Sequence, residues 1–254
     1  MNYVVMAEIL GLDVGGTGIK AAVVNVETGL FTKDKIKYAT PQPSTLKSVA
    51  KVLNQLMEDF DWKGKVIGCG FPAIIKHNVV HSASNIDKSW LGVNLRHYFL
   101  EYVGNDGVYI NDADAAGLAE ITFGDLEDKS GITLMLTLGT GIGSGLFLDG
   151  KLVPNSELGH LNYKDSVWEK YASNGARKRL DLDWDEWSEE LNNYISHVDK
   201  LLNPDRILLG GGVCKKYDKF LHHIDLKDKV HIASMQNNAG IIGAAMVALP
   251  LLNK

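Results

Sequence analysis

Glu8-Ile9-Leu10-Gly11-Leu12-Asp13-Val14-Gly15-Gly16-Thr17-Gly18-Ile19-Lys20-Ala21-Ala22-Val23-Val24-Asn25-Val26 is the stretch on which the fold turns. The apolar runs Ile9–Leu12 and Ala21–Val26 have strand composition and glycines crowd between them. The segment therefore reads as strand, glycine turn from Asp13 to Gly18, and strand, closed by Glu27-Thr28-Gly29. Gly16-x-Gly18-x-x-Ala21 also has the spacing of a dinucleotide-binding fingerprint, but that motif must open a helix. A run with three valines that ends in a turn forms a strand instead.

The pattern returns in the second half. Ile132–Leu136 reads as a strand, Thr137–Gly145 as a glycine turn, and Leu146-Phe147-Leu148 as the return strand to Asp149-Gly150. Gly16-Thr17-Gly18-Ile19 reappears as Gly139-Thr140-Gly141-Ile142, which predicts two lobes of related build around a cleft. Between and beyond the hairpins, periodicity predicts a strand near Phe31–Tyr38, a helix capped by Ser44 and running to about Phe60, and strands at Val66–Gly70 and Val108–Ile110. It predicts helices at Ala113–Ile121, Trp184–Leu202 and Asn238–Leu249, with a strand at Arg206–Leu209 entering Gly210-Gly211-Gly212.

Glycine turns let backbone N–H groups converge without Cβ obstruction and so make nests for phosphate oxygens. Asp13 has the chemistry to hold Mg²⁺ through water, and the Thr17 hydroxyl to donate to an anion. Asn111, Asp112 and Asp114 crowd one strand end before an alanine-rich helix, either as a helix cap or as a general base with a hydroxyl ligand. Glu157 and His160 form a second polar group near the second turn. Arg177-Lys178-Arg179 and Lys215-Lys216 are local cation runs, read either as a polyanion track or as solvated surface.

Bulk composition excludes several classes. With 26 basic and 31 acidic residues, the net charge of -5 gives no overall basic field for nucleic acid or anionic membrane. Cys69 and Cys214 are isolated from each other, which argues against a disulfide framework or a cysteine zinc site and for a reducing, cytoplasmic setting. The stretch from Met1 to Gly16 lacks a basic leader pattern, and no apolar run reaches membrane-span length, so an unexported protein is expected.

At these residues the chain resembles the ROK family of sugar kinases and, within it, the polyphosphate-dependent glucokinase branch. The resemblance rests on Leu12–Lys20, on Leu136–Gly143 and on Gly210–Gly212; Thr40-Pro41-Gln42-Pro43, Asn85–Trp90 and Asn111–Glu120 look like the polyphosphate branch in particular. It implies an α/β fold, two-lobed and of the actin-like, hexokinase-type (ribonuclease H-like) kind with a central cleft. The smaller lobe is expected over 1–110 and the larger over 111–254, with the last helix a candidate to pack back on the first.

The resemblance further implies phosphoryl transfer from polyphosphate, with ATP as a candidate second donor, to the 6-hydroxyl of glucose. Asp112 would be the catalytic base, and Asn85, Asn111, Glu157 and His160 would hold sugar hydroxyls. Asp13, Gly15, Gly16, Thr17, Gly18, Lys20, Thr137, Gly139, Thr140, Gly141, Gly210, Gly211 and Gly212 would contact phosphate or nucleotide, with Mg²⁺ at Asp13. A homodimer without nucleic-acid or membrane partners is expected. Many ROK proteins follow the glutamate–histidine motif with a zinc-binding cysteine cluster, whereas 161–176 here holds no cysteine, so no structural zinc is expected. The family's Pro-Gly pair is here Pro72-Ala73. ROK repressors carry an added DNA-binding domain, a role not expected with about a dozen residues ahead of Asp13. The remaining alternatives are an ATP-dependent kinase for mannose or an N-acetylhexosamine, and an inactive sugar-binding regulator.

Overall fold

The computed structural model describes residues 7–252, so the first six residues, on which part of the expectation of no leader rests, lie outside the described residues. The chain forms two compact units, one comprising residues up to Ala119 together with Asn238 onward, the other Glu120–Asn237.

The first unit contains β1 Glu8–Val14, β2 Gly18–Asn25, β3 Leu30–Phe31, β4 Ile36–Ala39, α1 Leu46–Asp59, β5 Ile67–Phe71, the small ribbon β6 Ile75–Lys76 and β7 Val79–Val80, α2 Leu95–Tyr102 and β8 Gly107–Asn111. Its sheet runs β3-β2-β1-β5-β8, with β4 also on β2; β1 and β2 are antiparallel, while β1, β5 and β8 are parallel. Alternation along β1 sends Leu10, Leu12 and Val14 into a core with α1 and α2, built around Val49, Leu53, Leu56, Tyr98, Phe99 and Trp90. The cap of α1 is Thr45, whose hydroxyl accepts from Ser48 N, and not Ser44. Ser44 instead accepts from Asp87 N through its hydroxyl and from the Trp90 indole through its carbonyl. The expected strand over 31–38 is two short strands, β3 and β4.

α3 Asp112–Phe123 follows β8 without a gap, and the change of unit falls inside it, past the strand end where the sequence suggested a boundary. The second unit contains β9 Ile132–Leu138, β10 Ile142–Leu148, β11 Lys151–Val153, a ribbon β12 Asn162–Tyr163 and β13 Ser166–Val167, α4 Glu169–Ala172, α5 Asn174–Arg179, α6 Trp184–Leu202, β14 Arg206–Gly210 and β15 Val230–Ile232. Its sheet order, β11-β10-β9-β14-β15, repeats that of the first unit: an antiparallel hairpin, then two parallel strands. Leu134, Leu136, Leu138, Ile207 and Leu209 pack with Trp187, Leu191, Tyr194, Ile195 and Val198 of α6. A full capping box between Asp183 and Glu186 starts α6.

The closing helix is α7 Ala239–Val247 followed by a short α8 Leu249–Leu252. α7 belongs to the first unit, where it lies on β1 and β5. Backbone meets backbone there: a Cβ on Gly11 would collide with the Ile241 carbonyl, one on Gly68 with Ala244, and one on Gly243 with Ala115 of α3. Only glycine permits such approach.

Candidate active site

Three of the predicted positions lie at the carboxyl ends of parallel strands of the first sheet, where ligands of open α/β sheets bind. Asp13 pairs in register with Gly70, Gly70 with Ile110, and Phe71 with Asn111, so Asp13, the Pro72-Ala73 loop and Asp112 share one sheet edge. Asp13 is the penultimate residue of β1 and not a turn residue: it pairs with Lys20, whose ammonium lies 2.7 Å from its carboxylate. Lys20 is thus committed to Asp13 rather than reaching outward. On its other side the carboxylate lies against the first turn of α7, about 3.1 Å from where a Cβ on Gly240 would stand.

The first turn is Gly15–Gly18, and every one of its carbonyl oxygens is already occupied. Gly15 O accepts from the Thr40 hydroxyl at 2.5 Å, Gly16 O from the Gln42 amide at 3.3 Å, Thr17 O from Thr40 N at 3.4 Å, and Gly18 O from Gly15 N at 3.0 Å. Each turn carbonyl is thus bonded within the protein, and the Gly15 amide closes the turn on Gly18 O. Asn85 is exposed, and its backbone carbonyl covers Gly16, where a Cβ would fall 2.8 Å from it.

At the end of β8 the side chains divide the labour. Asn111 is the cap: its Oδ1 accepts from Ala113 N at 2.9 Å and Asp114 N at 3.1 Å, while its Nδ2 donates to Ala73 O at 3.2 Å. It is 6% exposed and spends its oxygen on α3 and one amide N–H on the 72–73 loop. Asp112 is the first helical residue, partly exposed, and accepts from Ala113 N at 2.9 Å. Asp114 is buried.

In the second unit the turn is Gly139–Gly141, shorter than the expected 137–145 because β9 runs on to Leu138 and β10 begins at Ile142. Thr137 lies within β9, in register with Gly143 and Gly210. Here too the carbonyls are occupied: Gly139 O accepts from Gly175 N at 2.9 Å, Thr140 O from the Ser173 hydroxyl at 3.1 Å, and Gly141 O from Gly139 N at 3.0 Å. Gly210–Gly212 abuts this hairpin, with Gly211 at φ 95° and a Cβ there only 2.6 Å from Leu138 O.

Glu157 and His160 are brought together by a loop clamped to β10. Ser144 and Ser156 exchange hydroxyl-to-carbonyl bonds at 2.8 and 2.9 Å, and Gly159 packs on the Ile142 carbonyl. His160 Nδ1 lies 3.3 Å from Glu157 and Nε2 lies 3.7 Å from Glu169, whose other oxygen accepts from Ile142 N at 3.3 Å. Glu169 belongs to this cluster, and sequence reasoning missed it. Its neighbour carboxylate holds the His160 pKa above the ordinary value against the effect of burial. Burial pushes the Glu157 carboxyl up, with His160 opposing. Burial also raises Glu169, but His160 and Lys170 outweigh it and leave it below the usual range.

Mg²⁺ takes hard oxygen ligands, keeps several waters and is held by one or two carboxylates with substrate phosphates, and the Asp13 carboxylate, shared with Lys20, is such an oxygen group beside the first turn. Among the described residues, the group able to hold a metal ion outright is Asp185, His222 and His223, on an exposed face of the second unit. No helix among the described residues is long and apolar enough to cross a membrane.

A sequence model of the ROK family matches residues 9–182. The chain is 39% identical over 240 residues to the polyphosphate glucokinase of Mycobacterium tuberculosis, covering 94% of this chain and 90% of that one. It is similar to the crystal structure of the inorganic polyphosphate/ATP-glucomannokinase from Arthrobacter sp. strain KM, with a TM-score of 0.92, 42% identity, and 97% and 99% of the two chains covered. A ROK family glucokinase from Streptomyces griseus shares the fold, with a TM-score of 0.83 at 24% identity over 95% of this chain and 99% of that one.

Proposed function

The chain belongs to the ROK family, and from that premise we propose that it is a glucokinase that transfers the terminal phosphoryl group of inorganic polyphosphate to the 6-hydroxyl of glucose. The observation that carries this reading is the pair of closed glycine turns, each with its carbonyls bonded within the protein, a build that suits an anion nest. Its relatives by name use the same donor and acceptor.

Phosphoryl transfer passes through a loose transition state, so the protein mainly positions reactants and neutralises charge. Asp112 accepts the proton of the sugar hydroxyl as its oxygen bonds to phosphorus, and the bond to the next phosphate of the chain breaks. Asn111 serves by capping α3 and so fixing the Asp112 backbone. Glu157 and His160 bind sugar hydroxyls, with Glu169 orienting the imidazole. When bound, Mg²⁺ would neutralise donor phosphate charge, held at Asp13 through water.

The Arthrobacter relative's name supports two finer readings, ATP as a second donor and mannose as a second acceptor. A product assay crossing glucose, mannose and N-acetylhexosamines with polyphosphate and ATP tests both, and no hexose 6-phosphate from polyphosphate would overturn the donor reading. We also infer a Mg²⁺-dependent, cytoplasmic homodimer without structural zinc. Light scattering, fractionation and metal analysis check those points, and a tightly held zinc lost only on unfolding would refute the last.

A further inference from the structure

The two cation runs of the second unit both begin at glycine loops. Ser173 and Gly175 bond the second turn, and α5 then carries Arg177, Lys178 and Arg179 away from it. Gly211 packs on Leu138 at the base of the same turn, and the 3-10 segment Gly212–Lys219, kinked at Lys216, carries Lys215, Lys216 and Lys219. Far apart in sequence, the runs converge on one indole. The Arg177 guanidinium lies 4.3 Å from the Trp184 ring centroid, and the Lys219 ammonium lies 5.6 Å from the same ring. Lys178, Arg179, Lys215, Lys216 and Lys219 are exposed. Of the acids close by in sequence, Asp183 caps α6 and Asp185 lies 2.9 Å from His223 Nε2, while Asp181 and Asp218 are exposed and leave the six cations of the two segments in excess.

Resting on the polyphosphate reading above, we propose that the two runs form a single cationic track, joined over Trp184, that holds the phosphates of a long polyphosphate beyond the one being transferred. Two basic segments that diverge from phosphate-binding loops and meet again give a chain a path leading away from the turn. Solvated surface charge gives no reason for them to meet on one ring. The track favours long donors, because a short one ends before it engages both segments, and its attraction weakens with salt as for other polyanions. Trp184 acts as a positioning residue, holding Arg177 and Lys219 in register.

The test compares KM for long-chain with KM for short-chain polyphosphate in three variants of the full chain: Lys178→Glu/Arg179→Glu, Lys215→Glu/Lys216→Glu, and Trp184→Ala. Each should raise the long-to-short KM ratio about tenfold, with the shift shrinking as salt rises and Trp184→Phe restoring most of it. Glucose calorimetry checks folding, and should a variant not fold, the wild-type salt dependence decides, since it must be steeper for the long donor. An unmoved ratio, or a shift from one run alone, overturns the joined track. A wild type that uses no polyphosphate at all overturns the donor reading instead, before any variant is made.

Discussion

The β1–β2 hairpin and the β9–β10 hairpin head sheets of the same strand order, yet their turns are held by different means. In the first, Thr40 and Gln42 reach in from a distant loop to occupy the carbonyls; in the second, Ser173 and Gly175 from the start of α5 do so. The first turn is also longer by Gly15. What the two share is therefore a closed turn with every carbonyl bonded, and what differs is the material behind it. Each unit also carries groups of its own: a paired carboxylate and a second carboxylate at a helix start on one side, a histidine between two glutamates and two cation runs on the other.

If chemistry is divided this way, Asp112→Asn should lower kcat by roughly 10²–10⁴-fold while leaving sugar affinity nearly constant in calorimetry. A near wild-type kcat would remove the base from the first unit and break the division. In the second unit, Glu157→Gln and His160→Ala should weaken glucose binding, each by about 1.5–3 kcal/mol if the contact is desolvated. Donor KM should hold. Unchanged glucose affinity in both would make that cluster structural.

The two turns can be compared directly. Thr40→Val and Ser173→Ala each strip a hydroxyl from a turn carbonyl, at a cost of about 1 kcal/mol, so donor KM should rise about fivefold in both. A rise in only one would mean that only that turn grips the donor.

The smallest effect is in pH. Glu169 is held below its ordinary pKa and His160 above its own, so their attraction is complete between about 4.5 and 6.5. It fades as pH rises through the raised histidine value or falls through the lowered glutamate value. For a pair with His160 about a third exposed the contribution stays below about 1 kcal/mol. Tm of the wild type minus that of His160→Gln should therefore peak in that window by up to about 2 °C, and a flat difference would refute the pairing.

Both hairpins, the parallel strands and α6 were legible because glycine clusters and apolar periodicity are local signals. The Asn111 cap was legible only as one of two readings, since sequence gives no sign of which polar residue turns inward. Thr40 and Gln42 stood out as a motif, but their task depends on a loop folding back across β2, which no spacing reveals. Glu169 was invisible for the same reason: its partners, His160 and Ile142, come from separate elements.

The glycine contacts of α7 set an order of events in synthesis. Gly11 and Gly68 emerge early, but the helix whose backbone fills the space above them spans 239–247, after the whole second unit. At the usual elongation rate the wait is on the order of ten seconds. Until then the backbone that fills the space above Gly11 and Gly68 is missing, and the second unit, complete at Asn237, has every residue it needs before α7 is made. Of two halves with one topology, the later-made can thus be the earlier to finish folding, and the nascent chain carries its exposed, aggregation-prone surface at the end that left the ribosome first.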